Sequence, residues 1–193
     1  PMGRPKSAVF RTADIVGLDT FLHVTNNCYD SLKNDPQREV FKAPDWLKSM
    51  VEKKILGDKT GSGFYKKEKG SKDIAVLDLK TFEYRAQNKV RFDSLGAARD
   101  EETLAGKVRA VLFGKDKAAQ FAEEVTLRTL AYSADLLGEI ADDVVNIDRA
   151  MRWGYAWEQG PFETWDVYGV AKGVARMKEL GIGVAKWVED MLA

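Results

Sequence analysis

Apolar and polar positions along the chain fall first into helical spacing. Ser7 to Val16 reads as a short helix closed by Gly17, a residue that permits the left-handed turn out of a helix. Leu18, Leu22, Tyr29 and Leu32 share one face of a second helix, Leu18 to Lys33, which Asn34-Asp35-Pro36 closes. Pro44 opens a third, Asp45 to Ile55, with Trp46, Leu47, Met50 and Val51 apolar, and Gly57 stops it. The character then changes. Gly61-Ser62-Gly63-Phe64-Tyr65 leads into Lys66-Lys67-Glu68, and a turn falls at Gly70-Ser71. The apolar run Ile74 to Leu79 and the alternating Phe82-Glu83-Tyr84 follow. These features predict a small antiparallel meander of two or three strands.

From Asp100 the pattern is helical again. Glu101 to Leu112 forms one predicted helix, and Ala118 to Ile140 the longest. The longest carries two apolar stripes, Phe121, Val125, Tyr132, Leu136 and Ile140 on one side, and Leu127, Leu130, Ala134 and Leu137 on another. A helix apolar on two sides is expected to lie sandwiched between neighbours. Asn146 to Met151 belongs to a further helix, and Gly160-Pro161 restarts the chain with proline in a first helical turn. Short helices at Phe162–Tyr168, Ala171–Leu180 and Val184–Leu192 finish it, separated by Gly169 and Gly181.

Two segments repeat in order. Phe10-Arg11-Thr12-Ala13-Asp14-Ile15-Val16-Gly17-Leu18 aligns with Phe162-Glu163-Thr164-Trp165-Asp166-Val167-Tyr168-Gly169-Val170, sharing Phe, Thr, Asp and Gly. Trp46 to Val51 likewise resembles Trp187 to Leu192. Two matches in the same order point to a duplicated unit. Asp14 and Asp166, each three residues before its glycine, are expected to serve turn chemistry. Long helices precede the second copy, and nothing precedes the first. The expected organisation is therefore a partial first helical unit with the meander over 1–92 and a second unit over 93–193, cut short at its C-terminus. On this reading the chain is a window from a longer polypeptide.

Composition narrows the classes. Lys and Arg number 30, as do Asp and Glu, so the net charge is about zero and a nucleic-acid partner is not expected. No apolar run approaches the ~18 residues of a membrane span. Cys28 is the only cysteine and His23 the only histidine, which excludes an internal disulfide and a zinc set. A lone cysteine fits a reducing, cytoplasmic location. Cys28 and His23 lie roughly on opposite sides of a helix, a poor nucleophile–base pair. Asp142-Asp143 and Glu123-Glu124 point in different directions and read as solvated faces.

The motifs resemble a known family. Pro1-Met2-Gly3, Thr12-Ala13-Asp14-Ile15-Val16-Gly17-Leu18-Asp19-Thr20 and Gly57-Asp58-Lys59-Thr60-Gly61-Ser62-Gly63-Phe64-Tyr65 look like the helical C-terminal domain of 3-hydroxyacyl-CoA dehydrogenases. The last contains that family's Lys-x-Gly-x-Gly-Phe-Tyr run. Ile147-Asp148-Arg149-Ala150-Met151, followed by Gly160-Pro161-Phe162-Glu163 and Asp166, resembles the family more fully. Tandem units resemble the long multifunctional enzymes of fatty-acid β-oxidation. The resemblance implies a mainly α fold, with helical units like the C-terminal domain of 6-phosphogluconate dehydrogenase in tandem and the meander between them. It implies an NAD-dependent oxidoreductase acting on acyl-CoA, with this part lining the acyl-CoA cleft and mediating homo-oligomer contacts.

The catalytic groups that the resemblance implies are missing. Hydride transfer needs a nicotinamide site and a base. The runs Gly61-Ser62-Gly63 and Gly181-Ile182-Gly183 lack the third glycine and the buried strand of a dinucleotide fingerprint. The family's histidine base lies in the nucleotide domain, and His23 does not match it. Its substrate-positioning asparagine lies on the unit's first helix and has no counterpart here. NAD is thus expected to be held by a nucleotide domain of the same polypeptide outside this chain, with no catalytic, cofactor or metal residue within it. Pro1, Met2 and Gly3, which match the segment lining the acyl end, are the substrate-side candidates. Lys6 and Lys59 are in reach of a phosphate by residue type, although a lone lysine is usually solvated. The five tryptophans, at helical spacing, are expected in the core. The chain alone is expected to be inactive. An oligomerisation or docking module and a stand-alone acyl-CoA-binding module are the alternatives.

Overall fold

The computed structural model describes residues 1–67, 70, 73–88 and 90–193 and is mainly helical, with one three-stranded antiparallel sheet. The expected turn at Gly70-Ser71 falls partly outside the described residues, as does Glu68. The chain divides into two compact units, residues 6–89, and residues 1–5 together with 90–193.

In the unit 6–89, α1 (Ala8–Val16) and α2 (Leu18–Ser31) meet at Gly17, whose φ of 96° and ψ of 128° no β-carbon would tolerate comfortably. The Gly17 N–H closes α1 on the Ala13 carbonyl at 2.9 Å, and the Leu18 N–H goes to Leu56 O. A 3-10 turn at Arg38–Phe41 and Pro44 lead into α3 (Asp45–Glu52), shorter than its sequence suggested. The meander follows as β1 (Tyr65–Lys67), β2 (Ile74–Leu77) and β3 (Tyr84–Ala86), with Tyr65 opposite Val76 and Leu77 opposite Tyr84. Ala13, Leu18, Leu47 and Met50 from the helices and Phe64 and Leu77 from the meander share one core. The sheet is thus part of this core rather than a free linker. Burial of such side chains stabilises by about 1.5–3 kcal/mol each.

The other unit is built from α4 (Asp93–Asp100), α5 (Leu104–Leu112), α6 (Lys117–Asp135), α7 (Val144–Tyr155), α8 (Pro161–Tyr168), α9 (Val170–Glu179) and α10 (Lys186–Leu192). Helix starts are capped by side chains. Thr103 accepts from Gly106 N, Asp116 from Ala119 N, and Asp143 from Asn146 N. Val108, Leu112, Leu127, Leu130, Trp165, Met177 and Val188 form the core.

One helix was not predicted, and two expectations fail, for physical reasons. Helix α4 lacks a visible apolar stripe, because its buried residues are the small Ser94 and Ala98. It is held instead by Asp116, which accepts from the Ser94 amide at 2.8 Å and the Ser94 hydroxyl at 2.9 Å. Helix α6 stops at Asp135, since Gly138 turns the chain with a φ of 89°. Nor is α6 sandwiched. Leu127 and Leu130 are buried, whereas Phe121 is 71% and Val125 47% exposed.

Candidate functional site

The family-like motifs of residues 6–89 meet in one joint. Asp14 is 1% exposed and accepts from the amides of Phe64 at 2.8 Å and Tyr65 at 3.0 Å. A β-carbon at Gly63 would stand 2.0 Å from Asp14 Oδ1, and one at Gly57 would stand 2.2 Å from the Asp14 carbonyl. The Gly-x-Gly spacing therefore lets two stretches of backbone approach the aspartate. Burial pushes the Asp14 carboxyl up, against the two amides that stabilise its charged form. Around it, Arg11 donates two bonds to Asp58, at 2.5 and 2.8 Å. Lys59 meets Asp19 at 2.6 Å. Those bonds hold Asp58 and Asp19 below the ordinary carboxylate range. Lys59 is therefore engaged with a carboxylate and is not a free phosphate contact. Asp14 is no turn residue either, as it clamps a segment fifty positions away.

The second unit makes the same kind of clamp with a different aspartate. Asp148, on α7, accepts from the Phe162 amide at 2.8 Å and the Glu163 amide at 3.1 Å. A β-carbon at Gly160 would stand 2.3 Å from its Oδ1. Burial again pushes its carboxyl up. Asp166, the repeat's counterpart of Asp14, is exposed. In the sequence Asp148 stands out only as part of the Ile147 to Met151 motif. Its burial beside Ile147 on α7 is decided by packing and leaves no local signal.

The substrate-side candidates sit in the unit with residues 90–193. Pro1 is exposed, Met2 packs against that unit's core, and Gly3 is buried at a φ of 63° with its carbonyl accepting from the Glu158 amide at 3.0 Å. A β-carbon on Gly3 would meet Leu104 and Glu158 at 3.2 Å. Arg4 lies 3.0 Å from the centroid of the Trp157 ring, and burial lowers its pKa to about 10. That stacking is a cation–π contact, so the segment is anchored at its arginine.

Other candidates separate in space. His23 is exposed and Cys28 half-buried. Of the tryptophans, Trp165 is 3% exposed but Trp153 is 79% exposed, so the expectation of five core tryptophans fails. Trp153 lies near the end of α7, past the helix's buried face. Glu123 is no solvated residue, because it accepts from Tyr168 Oη at 2.6 Å and Arg176 Nε at 3.2 Å. Burial and Glu123 push the Tyr168 phenol up. Asp143 caps α7. Among the described residues no group of three His, Cys, Asp or Glu side chains has metal-holding geometry, and no helix is long and apolar enough to cross a membrane.

A dinucleotide does not fit the two Gly-x-Gly runs. Gly63 has its α-carbon face filled by Asp14, and the run leads into β1 instead of opening a helix. Gly181 to Gly183 joins α9 to α10 with no strand before it.

Residues 2–67, which contain the Asp14 joint, match the family model for 3-hydroxyacyl-CoA dehydrogenase, C-terminal domain. Over this stretch the chain is similar to that domain. The match lies on the first copy, whereas the motifs of the second copy resemble the family more fully. Similarity to individual proteins covers both. The chain is 45% identical over 191 residues, 99% of its length, to a "Probable 3-hydroxyacyl-CoA dehydrogenase" of Bacillus subtilis, and covers 24% of that protein. It is 28% identical over 167 residues to a "Putative fatty acid oxidation complex trifunctional enzyme" of Rickettsia felis, covering 84% of this chain and 21% of that protein. A "Probable 3-hydroxyacyl-CoA dehydrogenase" of Deinococcus radiodurans is 48% identical over 71 residues, 37% of this chain and 20% of that protein. The chain thus spans between a fifth and a quarter of the length of these relatives.

Proposed function

We propose that this chain is the helical C-terminal portion of an NAD-dependent 3-hydroxyacyl-CoA dehydrogenase of fatty-acid β-oxidation. It contributes walls of the acyl-CoA cleft and contacts to the remaining domains, within a cytoplasmic homo-oligomer, and is inactive alone. The observation that carries this reading is the use made of the family's motif residues. Asp14, Lys59, Gly57 and Gly63 are each engaged in holding one stretch of backbone to another. They form a frame, and the frame leaves no base or nucleotide loop among them. The NAD that accepts the hydride belongs to a nucleotide domain outside this chain. Pro1, Met2 and Gly3 line the acyl side. The organisation into a partial first unit and a second unit is part of the same reading.

A contact role is supported by the exposed face of the first helix pair. Val9 is 75%, Phe10 48%, Val16 48%, Phe21 40% and Val24 51% exposed. In the repeat, Tyr168 is the counterpart of Val16 and is 4% exposed in a core shared with α5 and α6. The α1–α2 corner therefore presents apolar surface where its copy is covered. Leu22 is half-buried against its own core.

The test is an assay of the chain with NADH and acetoacetyl-CoA, paired with calorimetry. Acyl-CoA binding without NADH oxidation is expected. A measurable dehydrogenase rate would overturn the inactive-alone reading. Absence of acyl-CoA binding together with concentration-dependent association would favour a docking module.

A further inference from the structure

We propose that the unit 6–89 carries a cleft for a nucleoside phosphate. The cleft has a volume of about 510 Å³ and is lined by Lys6, Arg11, Asp58, Tyr65, Lys67 and Ile74, among others. That volume suits a small organic ligand, since such pockets run from about 300 to 1,000 Å³.

Among the described lining residues positive charge predominates. Asp58 is the carboxylate among the lining residues, and both its oxygens are taken by Arg11. Lys6 and Lys67 have no ion pair among the described residues. Two ammonium groups without an ion pair among the described residues match a phosphate dianion. Ser7 also lines the cleft; because Thr12 gives its proton to the Ala8 carbonyl at 2.6 Å, the Ser7 hydroxyl, 2.9 Å from that of Thr12, donates to it.

The sheet supplies a different surface. Lys67 pairs with Ile74 across β1 and β2, and Tyr65 lies two residues before Lys67, so all three share one face. Ile74 is 46% exposed there. A flat base fits against the Tyr65 ring and the Ile74 side chain while its phosphate meets the lysines. Such stacking tolerates any base, because every base presents a π face to the ring.

The assignment of this cleft to a nucleoside phosphate stands on its own residues. Its extension, that the phosphorylated adenosine end of acyl-CoA is what binds here, rests on the function proposed above. Calorimetry on the 193-residue chain separates the two, using adenosine 3′,5′-bisphosphate, CoA and inorganic phosphate as probes. A Lys6→Glu/Lys67→Glu variant, checked for an unchanged circular dichroism spectrum, is titrated beside it. Both substitutions are at surface positions away from the core. The bisphosphate and CoA are expected to bind more tightly than phosphate, with affinity falling by about tenfold or more in the variant and as salt rises. No bisphosphate binding, equal binding of inorganic phosphate, or equal affinity in the variant overturns the cleft. CoA binding that ignores the charge reversal does so while leaving the acyl-CoA reading intact. Bisphosphate binding lost in the variant with no CoA binding supports the cleft and removes its extension.

Discussion

The two helix–glycine–helix corners are nearly the same object, and their aspartates are not. Gly17 and Gly169 both have a φ of 96°. Thr12 and Thr164 both return their hydroxyls to the carbonyl four residues earlier, at 2.6 and 2.7 Å. One corner places its buried carboxylate within the first helix, at Asp14, and the other takes it from the preceding helix, at Asp148. Each carboxylate accepts from two consecutive amides beside a glycine with no room for a β-carbon. The corner is thus a property of the repeated sequence. The clamp is a solution that each unit reaches through its own partners.

The largest test of this comparison adds a methyl group. Gly63→Ala and Gly160→Ala should each destabilise the chain by about 4 kcal/mol, through overpacking plus displacement of a buried carboxylate from its donors. Urea unfolding with a change below about 1 kcal/mol would break the account of both clamps. Next, Asp14→Ala and Asp148→Ala should each cost about 2–3 kcal/mol, because two buried amides lose their acceptor. Asp166→Ala, at the aligned but exposed position, should stay within about 0.5 kcal/mol. Equal losses at Asp14 and Asp166 would restore the symmetric repeat.

A smaller effect is read in pH. Burial raises the folded pKa of Asp14 above its ordinary 3.8. The folded chain then holds that proton more tightly than the unfolded chain does. The associated stability is present below 3.8 and is lost as pH rises through the raised value. Wild type should therefore lose stability relative to Asp14→Asn as pH rises from about 4 towards 7. Asp19 and Asp58 have lowered values, so their contributions are lost only as pH falls further. A stability difference between wild type and variant that stays flat over that range would contradict the burial account.

Much of the fold was legible because its signals are local. The second helix pair of the repeat was read from Trp46-Leu47 against Trp187-Val188, and Leu47 and Val188 are both fully buried. The glycines at 17 and 169 marked their corners. The meander followed from alternation, and its strands lie where the apolar runs were. Helix α4 escaped because Ser94 and Ala98 bury little apolar surface, and its anchor, Asp116, lies twenty-two residues on. Of the candidate site, Pro1-Met2-Gly3 was named by motif alone. Its contacts with Leu104 and Glu158 lie about a hundred residues or more away in sequence.

The sequence by itself determined the order of the helices other than α4, the two glycine corners, the meander and the lack of a Gly-x-Gly-x-x-Gly run. Each rests on contacts or spacings within a few residues, where periodicity records the physics. Only the tertiary structure decided which aspartate is buried, which side of α6 is covered, and that Lys59 is paired while Lys6 and Lys67 face a cleft. A carboxylate's role depends on which amides and cations reach it, and at Asp14 the two amides come from about fifty residues further along the chain. Composition and local spacing are the same for a buried clamp and an exposed surface charge, and the long-range approach of backbone to side chain is what tells them apart.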